Sequence, residues 1–451
     1  MTKWSRYVCM IAGALALVLA GTAAADGKKG SKHAPRFEVD ASWPKTLPNN
    51  WVIGQTGGIA VDSRDHVWVL QRPRSIAERY LGPTLTPPRS TCCFAAPSVL
   101  EFDRSGNLVQ AWGGPSDPGF LESRCTPAMG CEWPETEHGI FVDHNGFVYV
   151  GGNGGPDHQV IKFTRNGDFV MQIGKSGMRG PSHPVAFAPN GTPLLGRPAE
   201  MDLDRDANEL YIADGYQNRR IIVVDATTGM YKRHWGAYGN VPSDAAIPPY
   251  DPAAPLPQQF RTPVHCAELS DDGLVYVCDR PNDRIQVFRK DGTFVKEFRT
   301  EVSTRGNGSA YNAGLSPDRA QSFLFNADGE NQHIWVFMRQ TGQVLSKVPR
   351  YLSLEPRTPN PAYDGPHREF HSALISGCGS QWVVTLCERL FDHAERYRNL
   401  SRKLKVAPRE DEHKKIVDAA LARRLDETVA LSKRHVEITA EIILQHPADI
   451  D

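Results

Sequence analysis

The chain has 451 residues, with 51 Lys plus Arg against 52 Asp plus Glu and a formal net charge of -1. So even a balance gives no broad positive field to draw nucleic acid or an anionic membrane, and neither is expected as a partner. The length admits several domains or one large repeat architecture, and the internal pattern has to choose between them.

At the N-terminus, Lys3 and Arg6 lead into an apolar run from Tyr7 to Leu19, closed by Ala23-Ala24-Ala25. This is the three-part form of a secretory signal peptide, assigned to residues 1–25 with cleavage before Asp26. The run is shorter than the roughly 20 residues of a membrane-spanning helix. No later run approaches that length, so the chain is expected to be secreted or periplasmic, with no membrane association after signal cleavage.

From residue 57 the sequence returns to one pattern of alternating apolar segment, acidic or glycine turn, and second β-rich segment. The copies are GGIAVDSRDHVWVLQRP, HGIFVDHNGFVYVGGN, AEMDLDRDANELYIADGY, HCAELSDDGLVYVCDRP, a degenerate YNAGLSPDRAQSFLFNADG, and HSALISGCGSQWVVTLC. Outer-strand pairs follow the second, third and fourth copies, for example RIQVFRKDGTFVKEF. Period-2 alternation broken by Asn-Gly and Asp-Gly predicts antiparallel hairpins joined into four-stranded meanders. Repeats of this size read as blades around a central channel, an all-β propeller of six blades over residues 36–390. The remaining residues, 391–451, are charged and predict a helical or irregular tail.

Five residues before the end of each first strand stand Gly57, His138, Ala199, His265, Tyr311 and His371. Histidine therefore occupies alternate copies, and sixfold closure would set these about 120° apart around the axis. Three imidazoles converging on one rim of a channel suit a zinc ion with an open fourth position. A meander brings the end of its second strand back to the same face, where Arg72, Tyr216 and Arg280 stand in the first, third and fourth copies.

These residues resemble the peptidyl-α-hydroxyglycine α-amidating lyases, NHL-repeat propellers in which three His hold zinc while two Arg and a Tyr surround the substrate. His138 in EHGIFVD, His265 in TPVHCAEL and His371 in EFHSAL match the ligand positions. Arg72 in VLQRPR, Tyr216 in ADGYQNRRI and Arg280 in CDRPNDRIQVF match the catalytic and substrate positions. The resemblance implies a metal-dependent lyase that cleaves the carbon–nitrogen bond of a hydroxylated amide, with small-molecule or peptide substrates. Arg would hold a substrate carboxylate and Tyr216 would act as general base. Ser372 stands where the family has an Asp that helps bind calcium, which argues against Ca2+ there, although backbone carbonyls near Ile59 and Ile140 offer oxygen ligands. The copper monooxygenase that supplies the family's substrate has no counterpart in a propeller expected to fill most of the mature chain. Two other readings stay open: a metal-dependent lactone or ester hydrolase, and a noncatalytic propeller that binds protein or glycan, because fold alone does not fix chemistry.

Once Cys9 leaves with the signal, eight cysteines remain, an even set for an exported protein. Cys266 and Cys278 are symmetric about the Asp272 turn and are predicted to pair across a hairpin. Cys92, Cys93, Cys125 and Cys131 are expected to staple long loops, with their connectivity open.

Overall fold

The computed structural model describes residues 40–349, apart from 41, 78–80, 85–86, 89–92 and 115–123, together with 34, 35, 37 and 410–445. The signal segment and the sixth copy, with His371 and Ser372, lie outside the described residues.

A short parallel pair, β1 (Trp51–Val52) and β4 (Phe94–Ala95), flanks the first of five four-stranded antiparallel sheets. Blade one is β2 (Gln55–Val61), β3 (Val67–Arg72), β5 (Val99–Phe102) and β6 (Leu108–Trp112). Blade two runs β7 (Glu137–Val142), β8 (Val148–Gly152), β9 (Gln159–Phe163) and β10 (Phe169–Gly174). Blade three is β11 (Pro198–Asp204), β12 (Glu209–Asp214), β13 (Arg220–Asp225) and β14 (Tyr231–Trp235). Blade four is β15 (Val264–Leu269), β16 (Leu274–Asp279), β17 (Arg284–Arg289) and β18 (Phe294–Arg299). Blade five is β19 (Asn312–Leu315), β20 (Phe323–Asp328), β21 (His333–Met338) and β22 (Val344–Pro349). The described residues thus hold five blades where six copies were read, each a meander as the alternation required.

The blades pack face to face, because strands apolar on both faces must bury both. Trp68 and Leu70 of blade one meet Ile140, Val148 and Ile161 of blade two. Tyr211 and Ala213 of blade three meet Val264, Val275 and Val277 of blade four. Among the described residues no blade packs on the other side of blade one: Trp43, Leu47 and Trp51 cover Phe102 and Leu100 there, while Ile59 and Val61 are 59% and 60% exposed. Among its described residues the segment RFEVDASW forms no strand, although the Phe37 ring lies edge-on to Phe325 of blade five at 5.7 Å.

The inner strands of blades one to four share an irregularity that alternation did not reveal. Pairing of first with second strand slips between Thr56 and Gly58, between Glu137 and Gly139, between Pro198 and Met201, and between Val264 and Cys266. The residues passed over are Gly57, His138, Ala199 with Glu200, and His265. A bulge of this kind leaves a residue outside the ladder and re-aims its side chain, which is how the histidines come to face the rim.

The pairing of Cys266 with Cys278 is present, the two residues being register partners with Cα atoms 4.8 Å apart. Cys125 and Cys131 form a second disulfide, and Cys93 is also disulfide-bonded, whereas Cys92 lies outside the described residues. The chain forms two compact units, one of residues 1–77 and 81–352 and another of 78–80 and 353–451. In the second unit two helices, α1 (Glu410–Leu421) and α2 (Leu425–Gln445), stand within the segment read as a helical tail. Their His413 and His435 rings are 4.6 Å apart, and His435 meets Glu412 at 2.8 Å. No helix of the described residues is long and apolar enough to cross a membrane.

Candidate active site

Five of the six residues picked out on the rim are described, and all five come together. His138 Nε2 and His265 Nε2 are 3.2 Å apart. The Tyr216 hydroxyl lies 3.1 Å from His265 Nε2, and Arg280 Nη1 donates toward that hydroxyl at 3.5 Å. On the far side, Arg72 Nη2 contacts His138 Nδ1 at 3.2 Å. The phenol and two imidazoles stack edge to face, with centroids 5.0 to 5.6 Å apart.

Each member is held by its loop. Tyr216 follows β12, and the Tyr216 amide donates to the Arg197 carbonyl. Gly215 beside it must lack a side chain, since a Cβ there would sit 1.8 Å from the Val264 carbonyl. The loop can therefore lie against the start of β15, next to His265. Behind it, fully buried Asp214 pairs with fully buried Arg220 at 2.9 Å and accepts from Asn218 Nδ2 and the Gly196 amide. Blade four repeats the device behind Arg280, with Asp279 bound to Arg284 at 2.7 Å, to Asn282 and to the Arg261 amide. These Asp–Arg pairs, visible in sequence only as D-x5-R and D-x4-R spacings, anchor the loops that carry Tyr216 and Arg280.

Burial and two neighbouring guanidinium groups shape the electrostatics. Desolvation, then Arg72 and Arg280, hold His138 down to about 3. The same burial, with His138 and Arg280, keeps His265 well below the ordinary histidine range. Both rings are therefore neutral at physiological pH, the form that binds a metal. Farther along the inner strands, burial pushes Glu200 up to about 8 and Asp202 up to about 7, and Glu268 well above the carboxylate range.

Two imidazole nitrogens on one tetrahedral zinc, at the usual bond lengths, lie about 3.3 Å apart. The observed 3.2 Å meets that requirement, so the two described histidines fit zinc. Zinc at both Nε2 atoms would replace the contacts they now make with each other and with the Tyr216 hydroxyl. A guanidinium only donates, so Arg72 makes Nδ1 of His138 the acceptor and leaves the ring proton on Nε2. To act as a ligand through Nε2, His138 would carry its proton on Nδ1 instead, where it could no longer accept from Arg72. On His265 the Nδ1 atom makes no hydrogen bond among the described residues.

Two guanidinium groups, a phenol and two neutral imidazoles at one end of the inner strands define the class of protein: a β-propeller with a cationic, metal-compatible site. In sequence the propeller is similar to NHL-repeat proteins. The chain is 29% identical to NHL repeat-containing protein 3 of Mus musculus over 267 residues, 57% of this chain and 58% of that protein. It is 25% identical to peptidyl-glycine alpha-amidating monooxygenase B of Xenopus laevis over 272 residues, 58% of this chain and 26% of that one. The chain thus spans little more than half of the first relative and about a quarter of the second.

A different family matches the C-terminal part. A family model described as FCD domain covers residues 344–438. In the same vein, 89 residues, 18% of the chain, are 35% identical to the HTH-type transcriptional repressor GlaR of Escherichia coli (strain K12), covering 40% of it. The FCD match takes in β22, α1 and the entire sixth copy with His371, so that copy carries two readings, as a blade and as part of an FCD segment.

Proposed function

We propose that the propeller is an exported, metal-dependent lyase that splits the carbon–nitrogen bond of a hydroxylated amide carrying a carboxylate. The observation that carries this is the pair of Nε2 atoms at 3.2 Å with the Tyr216 hydroxyl 3.1 Å from one of them. His138 and His265 are the proposed zinc ligands, and His371 the proposed third. A bound zinc ion would supply Lewis acidity toward the substrate hydroxyl oxygen. Arg280 and Arg72 attract and orient the carboxylate, since both guanidinium groups face a site with no carboxylate of its own among the described residues in contact with them. In its phenolate form Tyr216 takes the hydroxyl proton. As the carbonyl of glyoxylate forms, the carbon–nitrogen bond breaks and Tyr216 returns that proton to the amide nitrogen, which restores the phenolate. Disulfides and the N-terminal apolar run support export.

The test uses the purified full chain. Metal content by elemental analysis and glyoxylate release from an α-hydroxyglycine peptide are measured for wild type and for H138A, H265A and H371A. Loss of both in H138A and H265A is expected, and full metal occupancy with undiminished turnover in those two overturns the proposal. Retention in H371A alone reassigns the third ligand.

A further inference from the structure

We infer that Tyr311 is a positioning residue of this site, a platform that fixes the Arg280 guanidinium for carboxylate recognition; the inference rests on the lyase reading above. Tyr311 occupies, in blade five, the place held by His138 and His265 in blades two and four, but it is not a metal ligand. The Arg280 guanidinium carbon lies 4.6 Å from the centre of its ring, closer than the 5.8 Å to the Tyr216 ring. The ring also packs against Gly329, where a Cβ would meet three Tyr311 ring carbons at 2.9 to 3.1 Å. The hydroxyl donates to Glu330 Oε2 at 3.3 Å, and Asn307 Nδ2 donates to the same oxygen at 3.3 Å. The ring therefore cannot tilt away without losing contacts at its edge and at its back.

The consequence lies in how Arg280 spends its donors. Nε is committed to the Asn307 carbonyl at 3.0 Å and Nη1 points at the Tyr216 hydroxyl at 3.5 Å. Nη2 has no protein partner among the described residues. Arg72 differs, with Nε on the Glu137 carbonyl, Nη1 on Gln55 and Nη2 on His138. Arg280 is thus the guanidinium with a free edge, and a carboxylate bound there would lie beside the Tyr216 hydroxyl. Stacking on Tyr311 holds that edge in place without using a donor, as a cation on an aromatic face does.

The experiment compares wild type, Y311F and Y311L as full-length, zinc-loaded protein. Glyoxylate binding is measured by calorimetry, KM and kcat with an α-hydroxyglycine peptide, and thermal midpoints check folding. Y311L is expected to weaken glyoxylate binding and raise KM roughly three- to thirtyfold, the range of a desolvated cation–π contact, with kcat changed much less. Y311F keeps the ring and restores binding to within about twofold by the same principle. Y311L that binds glyoxylate as wild type does, at an unchanged midpoint, overturns the inference and leaves the lyase reading standing. Equal losses in Y311F and Y311L remove the platform role and point to the hydroxyl. Wild type that binds no glyoxylate overturns both.

Discussion

Two clusters on the propeller bring histidine among charged groups, and they are finished in opposite ways. On blade one, Asp62, His66 and Glu101 are close enough to hold a metal, the single such set of three among the described residues. Yet His66 Nδ1 already meets Glu101 at 2.6 Å, Trp68 Nε1 donates to Asp62 at 3.1 Å, and Arg165 from blade two pairs with Asp62 at 2.7 Å and with Glu101. A cation is built in. The same clamp recurs between later blades, as Lys290 to Asp204 and Arg339 to Asp272. On the inner rim the reverse holds: two neutral imidazoles face each other, His265 Nδ1 is left over, and the nearest charges are guanidinium groups. Ligand-type residues alone do not mark a site; unspent ones do.

If that distinction is right, Arg165→Met should have the largest effect on folding. It takes the close cation from the buried carboxylates of Asp62 and Glu101, leaving Arg64 at 3.9 Å from each, and is expected to cost about 3 kcal/mol in denaturant unfolding, with zinc content unchanged. H265A should show the opposite profile, so a stable R165M protein that has lost its zinc would exchange the roles of the two clusters. Replacing Cys266 and Cys278 by Ser should come next. A short closed loop predicts a loss of about 2–3 kcal/mol, with weaker zinc binding because Cys266 adjoins His265, readable by unfolding and metal titration. Smallest is E209Q. Arg233 donates to Glu209 at 2.5 Å and, with Tyr211, holds its carboxyl down to about 2. The folded value is depressed, so this stabilisation is present above about pH 4.5 and fades as pH falls toward 2. At this partly exposed pair the wild-type advantage over E209Q should be at most about 1 kcal/mol at pH 7. An advantage that persists at pH 2 would show that the pair is not its source.

The meander of each blade was legible because period-2 alternation and glycine turns are local properties of the chain. So was the Cys266–Cys278 pairing, since a tight hairpin fixes which residues lie opposite. His138, His265, Arg72, Tyr216 and Arg280 could be placed by counting from strand ends. The bulges could not, for they exist only in the register between two strands, and a histidine inside a ladder reads in sequence like one beside it. Tyr311 was seen at its position but given no role, because its contacts come from Gly329 and Arg280, which are distant in the chain. The sixth copy shows the limit of periodicity itself: HSALISGCGSQWVVTLC has short apolar runs that suit a buried strand or a helix equally, and the FCD match extends over it.

The register slips on the inner strands carry a further consequence for how such a ring diversifies. A residue that takes no part in the ladder can be exchanged without breaking a strand pair, so the mouth of the channel can change chemistry while the wheel beneath it stays intact. Ala199 takes that place in blade three, between the blades that bear His138 and His265, but there the residue is buried among Tyr211, Ala213 and Val264. A larger side chain would crowd the packing between blades, so a slip in register opens a position to new chemistry only where the residue also stands clear of the core.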